Sequence, residues 1–115
     1  MRSAVIISGP LAQDHEFIYP YYRLLEEEIK LDVCLIGGKP VSGILGTPLP
    51  PNKNHTVKDI DQLNINDYDL LVLPGGVKAM EKIRQDKRLI SFISNFHKAD
   101  KLIACICSGA QLLIS

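Results

Sequence analysis

The stretch Leu70-Leu71-Val72-Leu73-Pro74-Gly75-Gly76 decides the fold. Four aliphatic residues in a row suit a strand covered on both faces, which is how strands of parallel sheets read. Pro-Gly-Gly then stops it, because proline removes a donor and the glycines allow backbone angles that no strand uses. Working outward, three more runs of this kind appear. Ala4 to Ile7 is ended by Ser8-Gly9-Pro10, Asp32 to Ile36 is closed by Gly37-Gly38, and Leu102 to Ile106 runs into Cys107-Ser108-Gly109. Between them the apolar spacing becomes helical. Glu16 to Ile29 places Phe17, Leu24 and Leu25 on one side and Glu26-Glu27-Glu28 on a solvated one, with Pro20 expected in the first turn. Asp86 to His97 aligns Leu89, Ile90, Ile93 and Phe96. Gly43 to Asn54, rich in Gly, Pro and Asn, reads as a loop with a short hairpin, and Ser108 to Ile114 reads as the start of another helix.

Strands alternating with helices specify an α/β protein: a doubly wound parallel sheet in a three-layer sandwich. Four strands are few for that architecture, and Leu112, Leu113 and Ile114 need a partner layer. Residues 1–115 are therefore expected to be the N-terminal part of a single longer domain, with the sheet incomplete. The 115 residues carry 13 basic and 13 acidic side chains, so the formal net charge is zero. No basic excess points to nucleic acid or an anionic membrane as partner. With 46% hydrophobic and 23% charged residues the chain is built to fold rather than to stay disordered. No apolar run approaches the ~20 residues of a membrane span, and Ala4 to Ile7 is too short for a signal peptide. Three cysteines, an odd number, do not form a disulfide framework. A reducing, cytoplasmic setting is the expectation.

In parallel sheets, sites gather at the carboxyl ends of strands. The sharpest candidate is Cys107, where a buried strand runs through Cys-Ser-Gly-Ala into a helical pattern. That is the layout of a nucleophile elbow, and a helix N-terminus favours a thiolate. Lowering a thiol pKa by ~2 units takes about 2.7 kcal/mol, more than a helix terminus typically supplies, so a second donor is required. The competing reading makes Cys107 a small buried apolar residue. Cys105 and Cys34 read as core, with Cys105 alternatively a resolving thiol. Cys-x-Cys lacks a second ligand pair, so no metal is expected. Gly75 and Gly76 read either as a source of oxyanion-binding N–H groups or as a plain strand breaker. No G-x-G-x-x-G follows the first strand, so no dinucleotide cofactor is expected. Glu16, beside His15 at the start of the first helix, either answers the helix dipole or points inward as an acid for the thiolate. His15, His55 and His97 are expected to be exposed.

Together, Glu16-Phe17-Ile18-Tyr19-Pro20-Tyr21-Tyr22-Arg23-Leu24, Leu73-Pro74-Gly75-Gly76 and Ala104-Cys105-Ile106-Cys107-Ser108-Gly109-Ala110-Gln111-Leu112-Leu113 resemble the ThiJ/PfpI family. That family belongs to the class I glutamine amidotransferase-like superfamily, and the tyrosine-rich stretch is most similar to its PfpI branch. The resemblance implies a flavodoxin-like fold. It also implies that the nucleophile is Cys107 and that Glu16 is the acid hydrogen-bonded to its thiolate. Gly75 and Gly76 fall on the oxyanion side, joined by the amide of Ser108. Glu81 falls where PfpI-type members place a glutamate that reaches a neighbouring subunit's site. The chain departs from the pattern at Ser108, where PfpI-type proteases carry histidine, and at Ala12 and Gln13, where an aromatic and an acidic residue are usual.

The resemblance implies a cysteine-dependent enzyme acting on reactive carbonyls such as methylglyoxal or its adducts, glyoxalase- or deglycase-like, without cofactor or metal. One alternative is an intracellular protease or amidase on peptides, weakened because Ser108 leaves no Cys-His-Glu triad. The other is an oxidation-sensing stress or chaperone-like protein in which Cys107 becomes a sulfinic acid. A homo-oligomer, dimer or hexamer, is expected, with Tyr19, Tyr21 and Tyr22 read either as an interface or as core.

Overall fold

A computed structural model describes residues 2–106. Strand β1 (Ser3–Ser8) pairs in parallel with β2 (Lys30–Leu35) on one side and with β6 (Leu70–Leu73) on the other. A short strand β5 (Val57–Lys58) extends the β2 edge, and β7 (Leu102–Cys105) lies beyond β6, giving the order β5-β2-β1-β6-β7. Every pairing in this sheet is parallel. A separate hairpin joins β3 (Val41–Ser42) to β4 (Pro48–Leu49).

Successive strand residues face opposite sides, and both sides are covered. Helix α1 (Asp14–Glu26) lays Phe17 and Tyr21 over Ala4, Ile6, Val33, Leu35 and Val72. Helices α2 (Val77–Gln85) and α3 (Lys87–Lys98) cover the other face, where Ile83, Leu89, Phe92, Ile93 and Phe96 meet Val5, Ile7, Leu71 and Leu73. Each such fully buried side chain contributes roughly 1.5–3 kcal/mol. This is the doubly wound, flavodoxin-like sandwich expected from the sequence.

The structure also differs from the sequence reading in detail. Helix α1 begins two residues earlier, at Asp14, and Pro20 sits in its interior rather than its first turn, so it cannot donate to the Glu16 carbonyl. The helix ends at Glu26 because Glu28 turns left-handed, φ +59°. Glu28 N–H then bonds Leu25 O at 3.0 Å and Ile29 N–H bonds Leu24 O at 3.1 Å, a Schellman closure. Helix α2 and strand β5 were not expected. Both are short, and in α2 the buried Ala79, Met80 and Ile83 are interleaved with charged residues.

Candidate active site

The chain leaves β1 toward β2 on one side and returns through β6 on the other, so the carboxyl ends of β1 and β6 flank the switch point where such sheets bind ligands. Two turns meet there. The loop after β1 reaches Gln13, whose N–H donates to Gly75 O at 3.1 Å. Gln13 also opens α1: its carbonyl accepts from Glu16 N–H at 3.1 Å and its side chain from His15 N–H at 2.9 Å. The Pro-Gly-Gly turn is thus tied to the helix start that carries Glu16.

Gly76 is required where it stands. Its φ is +124°, and a Cβ there would lie 2.7 Å from Gln13 N and 2.9 Å from Ala12 Cα. It forms the start of α2, its carbonyl accepting from Met80 N–H at 2.9 Å. Glu16 is half-buried, and its Oε1 is shut off from solvent without a hydrogen-bond partner among the described residues. A carboxyl oxygen so placed is available to an incoming group. On the far side of β6, Cys105 pairs in register with Leu73, and Ile106 N–H bonds Leu73 O at 3.1 Å. That hydrogen bond carries the chain past the end of β6. Cys107 and Ser108, the expected nucleophile and its neighbouring amide, lie outside the described residues, as does the helix expected from Ser108 onward.

Of the remaining expected site residues, Glu16, Gly75 and Gly76 are brought to one end of the sheet. Glu81 is exposed on α2, its carboxylate accepting from Arg84 at 3.0 Å. Cys34 is core as expected; burial, with the charges of Asp59 and Asp86, pushes its thiol up to about 12. Cys105 is half-buried, and burial raises its thiol too. Among the described residues no three His, Cys, Asp or Glu side chains come together as a metal site. Nor is any helix among them long and apolar enough to cross a membrane.

Two features escaped the sequence reading. Asp14 is buried, and its carboxylate accepts from Leu45 N–H at 2.9 Å and Thr47 N–H at 3.1 Å, clamping the β3–β4 hairpin onto α1. Burial alone would raise this carboxyl, but the Leu45 N–H and the Thr47 hydroxyl and N–H hold it below the ordinary carboxylate value. His55 is half-buried rather than exposed. Its Nε2–H donates to Leu31 O at 2.9 Å, and Tyr21 Oη lies 2.7 Å from Nδ1. Tyr21 is accordingly core, while Tyr19 and Tyr22 are exposed.

The sheet places a positive-φ glycine turn and the half-buried Glu16 at its switch point. The profile of the DJ-1/PfpI family covers residues 2–115, and the chain belongs to that family. It is 40% identical over 117 residues to protein/nucleic acid deglycase 2 of Escherichia coli, covering 99% of this chain and 63% of that protein. It is 32% identical over 111 residues to deglycase PfpI of Pyrococcus furiosus, covering 96% of this chain and 63% of that protein. The crystal structure of Drosophila melanogaster DJ-1beta superposes with a TM-score of 0.85 at 25% identity, covering 98% of this chain and 59% of that one. The chain thus spans about three fifths of the length of these relatives.

Proposed function

We propose that the chain acts on reactive carbonyls as a deglycase of its family, through a thiolate at Cys107. The observation that carries this reading is the Gln13–Gly75 hydrogen bond. It sets Glu16 Oε1, without a partner among the described residues, and the Gly75-Gly76 turn at the same end of the sheet; β7 ends at Cys105, two residues before Cys107 in the sequence. The relatives named deglycases support the reaction class.

In the first step the amine or thiol of the adduct leaves as the aldehyde C=O re-forms, and the Cys107 sulfur bonds to that aldehyde carbon. The C=O electron pair moves to oxygen, which takes a proton that Glu16 shuttles, while N–H groups of the Gly75-Gly76 turn and of Ser108 hold the developing oxyanion. Over the whole cycle, adduct and water give a 2-hydroxy acid and the freed amine or thiol. The aldehyde carbon is oxidised as its neighbour is reduced, so the electrons balance within the substrate. Ser108 supplies an amide but no imidazole, which sets this reading above peptide hydrolysis. As part of the same proposal the working protein is a cytoplasmic homo-oligomer, with the exposed Glu81 assigned to a neighbouring subunit's site.

The test is lactate formation from the methylglyoxal hemithioacetal of N-acetylcysteine. The wild-type chain forms lactate, and Cys107→Ser falls to background. Wild-type inactivity, or a Cys107→Ser variant as active as wild type, overturns the proposal.

A further inference from the structure

Gln13 is the residue through which the two turns of the candidate site meet. Its N–H donates to Gly75 O at 3.1 Å, and its carbonyl accepts from Glu16 N–H at 3.1 Å and Phe17 N–H at 3.2 Å. Its side chain caps α1, with Oε1 accepting from His15 N–H at 2.9 Å. It also touches Gly76, where a Cβ would lie 2.7 Å from the Gln13 nitrogen. The residue type is unusual for this work. Helix caps are ordinarily Ser, Thr, Asp or Asn, whose shorter side chains reach the same N–H with fewer torsions to fix. Aspartate would also answer the dipole at the helix start. Glutamine does neither, but it caps without charge.

Charge matters here because the start of α1 already carries two acids. Against the pull of burial, the Leu45 N–H and the Thr47 hydroxyl and N–H hold Asp14 below the ordinary carboxylate value, so it stays ionised. Glu16 is the second acid, its Oε1 without a partner among the described residues. The titratable group between them is His15, which is exposed, and the Pro74-Gly75-Gly76 turn packed against Gln13 contributes none. A thiolate at this end of the sheet is opposed by every further anion. We propose that Gln13 is a positioning residue of the deglycase site. It fixes Glu16 against the Gly75-Gly76 turn with a cap that adds no anion, and so keeps more of Cys107 as thiolate than an acidic cap would. The proposal rests on the deglycase reading and gives a role to the amide that stands where an acidic residue is usual in the family.

The test is Gln13→Glu, which keeps the size of the side chain and its acceptor for His15 N–H while adding a charge. Cys107 alkylation is followed against pH, and lactate formation from the methylglyoxal hemithioacetal of N-acetylcysteine is measured alongside. The alkylation midpoint should rise by about 0.5 to 1 in pH, which is about a three- to tenfold loss of thiolate below the midpoint. At those pH values kcat should fall by a similar factor with KM little changed. Gln13→Asn, shorter but uncharged, should keep the wild-type midpoint. A merely structural cap predicts no movement in Gln13→Glu, because the acceptor is retained and the added charge suits the helix dipole. An unmoved midpoint in a chain that still forms lactate overturns the role of Gln13 and leaves the deglycase reading intact. A Gln13→Asn midpoint displaced as far as that of Gln13→Glu does the same. A wild-type chain that forms no lactate, but whose low Cys107 midpoint rises in Gln13→Glu, sinks the deglycase reading and retains the role of Gln13. If Gln13→Glu does not fold, the isosteric pair Gln13→Asp and Gln13→Asn makes the same comparison, and equal midpoints in that pair overturn the proposal.

Discussion

Gln13 N–H donates to the Gly75 carbonyl at 3.1 Å, and this bond joins the loop after β1 to the turn after β6. It couples the two strand ends that flank the switch point. One of these leads into the helix bearing Glu16, the other into the helix opened by Gly76. The geometry on either side of this bond is close enough that small changes are felt.

Gly76→Ala is the sharpest case. The new methyl would meet backbone atoms of Gln13 and Ala12 at 2.7 and 2.9 Å, and φ of +124° is strained for any side chain. Backbone strain and overpacking together predict a loss of roughly 2–4 kcal/mol. Urea unfolding of the two chains should show the midpoint of the variant well below that of wild type. An unchanged midpoint would mean that the turn has room it is not seen to have.

Asp14→Asn replaces a buried acceptor of two backbone N–H groups by an amide that satisfies them less well, at a cost of about 1–3 kcal/mol near neutrality. The Asp14 carboxyl is held below its ordinary value in the folded chain. Its stabilisation is therefore present above the unfolded value of about 3.9 and is lost as pH falls through the lower folded value. The stability gap between wild type and variant should be flat from about pH 5 to 8 and narrow below about pH 4. A gap that widens on acidification would reverse the sign.

Glu28→Gly should stabilise. Glu28 closes α1 at φ +59°, a conformation that costs a non-glycine residue roughly 1–2 kcal/mol. The greater freedom of glycine in the unfolded chain offsets part of this. The expected gain is about 0.5–1 kcal/mol, or roughly 2–5 °C in Tm. A lower Tm would show that the glutamate contributes something at that position beyond its strained backbone.

Much of this was legible in the sequence because parallel strands are buried on both faces and so read as unbroken aliphatic runs. Ala4 to Ile7 and Leu70 to Leu73 could hardly be anything else. Glu16 and the Gly75-Gly76 turn were legible as residue types at the ends of such runs. Asp14 is not, because the helical spacing starts at Glu16 and leaves Asp14 in the preceding loop. What distinguishes it are two donors 31 and 33 residues away, on a hairpin whose strands are two residues each. Helix α2 was hidden for a similar reason. Its start is a glycine pair that reads as a break, and its three buried residues recur in only nine positions. His55 reads as exposed in the sequence because its partners, Tyr21 and Leu31, are set by packing rather than by spacing.

The most direct test of the central claim is the pH dependence of Cys107 alkylation, read by mass spectrometry on the intact chain. Cys34 serves as an internal reference, since burial pushes its thiol up to about 12 and it should stay unreactive until the chain unfolds. The account predicts a Cys107 midpoint well below the unperturbed ~8.5, displaced upward in Glu16→Ala. A midpoint at or above that value, or one indifferent to Glu16, would contradict it.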